Sequence, residues 1–225
     1  MQFKIQIRAT QINQSGMANK ESFSFQDYLD YQARLLASLN NNSETLFLNE
    51  SYVHAAMVAK TIIDKAIRDN KNINMFCGEF SLFRNGFKQH INAIKEELRR
   101  NDSSLDNCIS FQEFNPYDDL ISSLKDFFVK NLKMVVIIAN TLSNIKEDQS
   151  WPLFDENIKN GNLNFRQLNV NLGIDHFMVS DSAFRIESSG TDKTAVCSIN
   201  RPEYAKILQT TFANLQTHSI DYPLQ

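Results

Sequence analysis

The run Met134-Val135-Val136-Ile137-Ile138-Ala139 is the stretch on which the fold turns. Six apolar residues without a break suit a strand covered on both faces, whereas a half-exposed strand would alternate. Just upstream, Asn115-Pro116 followed by Asp118 and Asp119 opens a helix. Proline suits a first turn, and carboxylates there complement the positive end of the helix dipole. Leu120, Leu124, Phe127 or Phe128, and Leu132 give this helix its buried side. Further back, Cys108 to Phe114 reads as a strand, and Phe87, Ile91, Ile94 and Leu98 fall on one face of a helix. Ile73 to Cys77 reads as another strand. Ser51 caps a helix running to Arg68, with Val53, Met57 and Ile63 or Ala66 facing inward. Three strands joined by two helices predict a parallel α/β core with right-handed crossovers.

Toward the N-terminus, Phe3 to Ile7 alternates as a short edge strand, and Gln11 to Glu21 is a polar loop. Phe25 to Leu39 reads as an amphipathic helix with Ser24 as N-cap and Tyr28, Tyr31, Leu35 and Leu39 as its stripe. The polar stretch Asn40-Asn41-Asn42-Ser43-Glu44 then breaks the pattern. The expected division is an N-terminal appendage over 1–45 and an α/β domain over 46–225.

Downstream, residues 143–162 are polar and irregular, with Trp151-Pro152 inside, and suit a long loop or a short broken helix. Phe165 to Val170 and Thr194 to Ile199 read as strands. Asn200-Arg201-Pro202-Glu203 opens a last helix with Glu at its third position, and Ala205, Leu208, Phe212 and Leu215 form its buried stripe. Between them, His176 to Ser180 and Ala183 to Glu187 form a hairpin about Asp181-Ser182. Alternation sends Phe177, Val179, Phe184 and Ile186 to one face, the core. His176, Met178, Ser180, Ala183, Arg185 and Glu187 go to the other. The turn sets Ser180 opposite Ala183, Met178 opposite Arg185 and His176 opposite Glu187. The expected result is a surface carrying a His-Glu pair and an arginine, suited to binding an anion or placing a proton-transferring histidine.

Of the 225 residues, 42% are hydrophobic and 22% charged, as in a globular chain able to bury a core without disulfides or metals. About 25 asparagines are spread along the chain and form no low-complexity tract. The longest apolar run is far short of the roughly 20 residues that span a bilayer, and the N-terminus has no signal-peptide core. Cys77, Cys108 and Cys197 stand singly, which suits reduced, mostly buried thiols and a cytoplasmic setting. A net charge of -3 and pI near 5.8 do not indicate a dedicated nucleic-acid binder. No P-loop, GxGxxG, HExxH or nucleophile elbow is present, so nucleotide hydrolysis, dinucleotide chemistry and zinc proteolysis gain no support.

The element order from the strand at 73–77 to the last helix resembles the phospholipase D-like fold. There an HxK motif followed by Asp lies on a late strand, and a Gly-Ser-x-Asn segment, a further strand and a terminal helix follow. The resembling stretch is His176-Phe177-Met178-Val179-Ser180-Asp181-Ser182-Ala183-Phe184-Arg185-Ile186-Glu187, with Ala195 to Ile199 and the helix from Pro202 after it. It covers roughly residues 49 to 219 and implies a mixed, largely parallel sheet with helices on both faces. In that family the histidine is the nucleophile that forms a phospho-enzyme and the lysine neutralises the phosphate. The two-residue spacing puts both on one strand face. His176 takes the nucleophile's place, but Met178 takes the lysine's. Asp181 comes earlier than the family's acid, and Glu187-Ser188-Ser189-Gly190 does not reproduce Gly-Ser-x-Asn. One motif copy is present, whereas active members set two against each other, within a chain or across a homodimer.

The resemblance therefore implies a catalytically degenerate domain, a non-catalytic binding or scaffolding subunit of a larger assembly such as a bacterial defence or regulatory complex. Its partner would be another protein or a second copy. The alternative is a homodimeric, metal-independent phosphodiesterase or nuclease using His176, with Arg185 and Glu187 assisting. A third reading is a sensor that holds an anionic small molecule against Arg185. Glu79 and Ser81 join Arg185 as ligand-binding candidates, because Cys77-Gly78-Glu79-Phe80-Ser81 follows the first core strand at the edge where open α/β sheets bind ligands. Gly78 there suits a positive φ angle. No cofactor and no metal are called for. His54, His90 and His218 read as capping or surface residues. Lys88, Lys95, Arg99 and Arg100 read as a solvated helix face or, functionally, a phosphate-backbone strip.

Overall fold

The structure, a computed structural model, describes residues 23–168, 173–188 and 194–223. The strand expected over 3–7 and the loop over 11–21 lie outside the described residues. Helix α1 (Phe25–Asn41) starts at Ser24, whose hydroxyl accepts from the Asp27 N–H while the Asp27 carboxylate accepts from the Ser24 N–H, closing a capping box. It buries Phe25, Tyr28, Tyr31 and Leu35. Strand β1 (Leu46–Asn49) leads to α2 (Tyr52–Asp69), capped by Ser51, and then to β2 (Ile73–Cys77). Helices α3 (Asn85–Asn101), α4 (Ile109–Glu113) and α5 (Pro116–Val129) connect β2 to β3 (Met134–Ile138). Helix α6 (Trp151–Lys159) connects β3 to β4 (Leu163–Leu168). Strands β5 (His176–Val179), β6 (Phe184–Glu187) and β7 (Ala195–Ser198) precede α7 (Pro202–Thr217) and β8 (Ser219–Asp221).

The eight strands form one sheet in the order β1-β7-β6-β5-β2-β3-β4-β8. The expected α/β class with a mixed sheet and helices on both faces is what the structure has. Its parallel share is narrower than expected: β2-β3 and β3-β4 run parallel, and the other five ladders are antiparallel. Each parallel pair is joined by a helical crossover and the β5–β6 pair by a tight turn, whereas β1-β7, β2-β5 and β4-β8 pair antiparallel strands that lie far apart in the chain.

Three strand assignments differ from the sequence reading. Cys108–Phe114 is not a strand but the short helix α4 with its flanks, and β4 supplies the third parallel strand instead. Phe111 and Phe114 are buried while Ile109, Ser110, Gln112 and Glu113 are exposed, a three-residue repeat that one turn of helix satisfies and a two-residue strand repeat does not. The short strands β1 and β8 carry too little pattern to be read from sequence and close the two ends of the sheet. Helix α7 begins at Pro202 with Arg201 as N-cap, which puts Glu203 at the second helical position rather than the third.

The hairpin register is as expected: His176 faces Glu187 and Met178 faces Arg185, with Ser180 N–H donating to the Ala183 carbonyl at 2.9 Å. What differs is the second face, which is core rather than surface. Phe177, Val179 and Phe184 pack beneath α7, while Met178, Ala183 and Cys197 join a larger core shared with α1, α2, α3, α5 and Phe154 of α6.

His54 is likewise no surface residue. It is 3% exposed, stacked on Tyr31 at 4.0 Å between centroids and flanked by Phe23 and Tyr28. Burial pushes its imidazole down to about 4, against a smaller upward pull from Asp27. The unfolded chain, whose histidine titrates near 6.5, therefore takes up a proton between these values that the folded chain refuses. Stability is fully present above pH 6.5 and falls as the pH drops toward 4, by about 2–3 kcal/mol from this group. Urea unfolding at pH 7 and pH 4.5 measures it: His54→Phe flattens the difference, and an unaltered pH dependence in that variant refutes the assignment.

Candidate functional site

The register places one row of side chains across the carboxyl edge of the parallel strands. Phe76 pairs with Phe177, so Cys77 and His176 meet one step further on. His176 then pairs with Glu187, Glu187 with Ala195, and Ala195 with Asn49. The second row on the same face holds Met75, Met178, Arg185, Cys197 and Phe47. Strand pairing thus sets His176, Glu187 and Arg185 on one face of the sheet, with Arg185 buried and His176 and Glu187 half-buried.

Gly78 sets the height of the imidazole. A methyl group at its Cα would stand 3.3 Å from His176 Cε1 and 3.2 Å from Asn140 Nδ2, tighter than side chains normally approach. Gly78 is needed for this close approach, and not for the positive φ expected of it: the left-handed residue of the turn is Phe80, at φ 57°. Asn140 follows β3 and donates its backbone N–H to the Gly78 carbonyl at 3.2 Å. Its nearness to His176 arises from the pairing of β2 with β3 on one side and with β5 on the other, which the local sequence around either residue does not disclose.

His176 is half-buried, edge-on to the Phe76 ring at 5.9 Å. Burial holds its imidazole below the ordinary histidine range. The charges of Glu187 and Asp175 oppose this shift and that of Arg185 assists it. Burial thus favours the neutral ring, which keeps a lone pair on one nitrogen. Arg185 is 8% exposed and its guanidinium donates from Nη1 to Glu187 Oε2 at 2.8 Å, while its Nε has no hydrogen-bond partner among the described residues. Met178, two residues along from His176 on the same strand face, is 1% exposed. Asp181 sits at the exposed hairpin tip, where it pairs with Lys71 at 3.5 Å, at the far end of β5 from His176. Glu79 and Ser81 are exposed beyond the end of β2, on the solvent side of the edge rather than among the buried groups with Arg185.

Cys77 and Cys197 are buried free thiols, pushed up to about 12 by burial, and Cys108 is half-buried. Among the described residues, no group of three or more His, Cys, Asp and Glu converges as metal ligands would, and no helix is long and apolar enough to cross a membrane. His90 stacks on Tyr52, and His218 is exposed at the end of α7.

The basic series on α3 is engaged within the fold. Lys88 pairs with Asp118 at 2.9 Å, Lys95 donates to the Phe114 carbonyl, Arg99 meets Glu96 and Asp106, and Arg100 donates to the Glu96 carbonyl. A separate open groove of about 890 Å³ lies between α5 and α6, lined by residues including Tyr117, Ile121, Lys125, Phe128 and Leu153. None of Gly78, Asn140, His176, Arg185 and Glu187 lines it.

No protein-family model matches the chain, and no curated protein matches it. Solved structures share part of its outline, among them these two. One is TrmBL2, an archaeal chromatin protein with a novel mode of DNA binding. It is 12% identical and superposes with a TM-score of 0.48 over 88% of this chain and 63% of its own, so this chain spans less than two thirds of that protein's length. The other is Nuc, a phospholipase D family member from Salmonella typhimurium, 11% identical with a TM-score of 0.47 over 80% of this chain and 99% of its own.

Proposed function

We propose that the chain is a phospholipase D-like domain that has lost catalysis and serves as a binding or scaffolding module within a larger assembly. The observation that carries this reading is the state of the cation position. A phosphoryl group at His176 would need positive charge beside it to stabilise the transition state. The side chain two residues along, on the same strand face, is a methionine sealed under the helices. The guanidinium opposite it is buried and committed to Glu187. The same commitment weighs against a sensor that takes an anion on Arg185, since the anion would have to displace a carboxylate already in place.

One observation favours the hydrolytic alternative: a neutral, half-buried imidazole is in the protonation state that a nucleophile or general base requires. Incubating the purified chain with bis-p-nitrophenyl phosphate, without added metal, separates the two. The expected release of p-nitrophenol equals the buffer blank, for the native chain and for His176→Ala alike. Hydrolysis that His176→Ala abolishes sinks the scaffold reading in favour of the phosphodiesterase.

A further inference from the structure

Strand β1 ends the sheet, and among the described residues no strand pairs with its outer side. Soluble proteins commonly guard such an edge with lysine, proline, a bulge or a covering element. Leu46-Phe47-Leu48-Asn49 carries no charged residue and no proline. Phe47 and Asn49 point into the helical core, while Leu46 and Leu48 lie on the α7 face and remain 42% and 44% exposed. Helix α7 covers Phe177, Val179 and Phe184 but not the far end of the sheet, where Val196, opposite Leu48, is only half-buried. Exposed Glu44 and Glu50 flank the strand, two residues before Leu46 and two after Leu48. Among the described residues, the edge therefore offers an unpaired backbone beside two leucines bracketed by carboxylates.

That charge pattern chooses the occupant. A second copy pairing antiparallel, with Leu46 against Leu48, would set Glu44 of each copy opposite Glu50 of the other. Like charges directly opposite destabilise a ladder. A strand bearing Lys or Arg at those two positions gains instead. We propose that β1 receives an extended segment of a partner protein, with two aliphatic residues at alternate positions bracketed by basic ones, as a ninth strand of the sheet. The backbone ladder would supply affinity, and the leucines and glutamates would supply selectivity. The proposal rests on the binding-module reading and names the surface through which binding occurs.

The probe is a fluorescently labelled peptide, KTVTVTK, titrated into the full chain and followed by anisotropy. Saturable binding is expected, about tenfold weaker in Leu48→Lys, whose exposed position leaves the unfolding midpoint unchanged. It should be lost with the proline-containing peptide KTVPVTK, and the double variant Glu44→Lys, Glu50→Lys should prefer ETVTVTE. Three results overturn the proposal. One is the absence of binding by KTVTVTK. Another is binding indifferent to Leu48→Lys and to the charge exchange. The third is a native dimer mass that Leu48→Lys reduces to a monomer, which would make a second copy the occupant. A chain that hydrolyses the phosphodiester yet binds the peptide in this pattern overturns the proposed function and leaves the edge assignment standing.

Discussion

Phe80→Ala is expected to cost about 3–5 kcal/mol of unfolding free energy, a large part of the 5–15 kcal/mol typical of a whole domain. Phe80 is fully buried, and its ring meets Phe83 at 5.0 Å, Phe154 at 5.3 Å and Phe165 at 4.9 Å. One side chain thus ties the turn after β2 to α6 and to β4. Truncation leaves a cavity bounded by three aromatic rings on separate elements, none of which can close it without moving its backbone. The alanine keeps the left-handed conformation that Phe80 holds at φ 57°, so no backbone strain is relieved in compensation. Urea denaturation measures the loss, and a drop of roughly 10 °C in Tm should accompany it. A cost below about 1 kcal/mol would mean that the turn is not anchored by this cluster.

Removing the carboxylate of Glu187 is the second large effect. Glu187→Ala strands the Arg185 guanidinium, 8% exposed, without its anion. Breaking one side of a buried pair typically costs about 3–5 kcal/mol, and the partial exposure of Glu187 places the expected loss near the lower end. Replacing both partners with apolar residues, Arg185→Met with Glu187→Leu, should recover most of it, because the buried charge then disappears with its partner. Equal losses in the single and double variants would show that the pair contributes through packing alone. The comparison also bears on function: recovery in the double variant marks the pair as structural, in keeping with a guanidinium unavailable to a bound anion.

Much of this architecture was legible because its local signals agree. In the hairpin, alternation and a two-residue turn point to one register, and the observed pairing of His176 with Glu187 and Met178 with Arg185 follows. Ser24, Ser51 and Asn115-Pro116 likewise marked three helix starts within a residue. Alternation, however, says only which residues share a face and is silent about what covers it. The face bearing Arg185 therefore read as a surface, although α1 and α2 lie over it. Phe111 and Phe114 misled for a related reason, since five residues suffice for one helical turn or one strand and the spacing of two aromatics has to decide. The meeting of Gly78, Asn140 and His176 is a property of strand pairing, and no window of sequence contains it.

Strand β1 has a further consequence for how the chain folds. The Cys197 thiol and the Phe47 carbonyl are 150 positions apart in sequence, yet they meet where β1 docks on β7. Closing a loop of that length costs more entropy than closing the tight turn between β5 and β6, so that hairpin is expected to gain its contacts before β1 docks on β7. The β1–β7 ladder is then expected as a late addition to the sheet during folding. For much of the search for the native state, β7 stands as a temporary edge of its own.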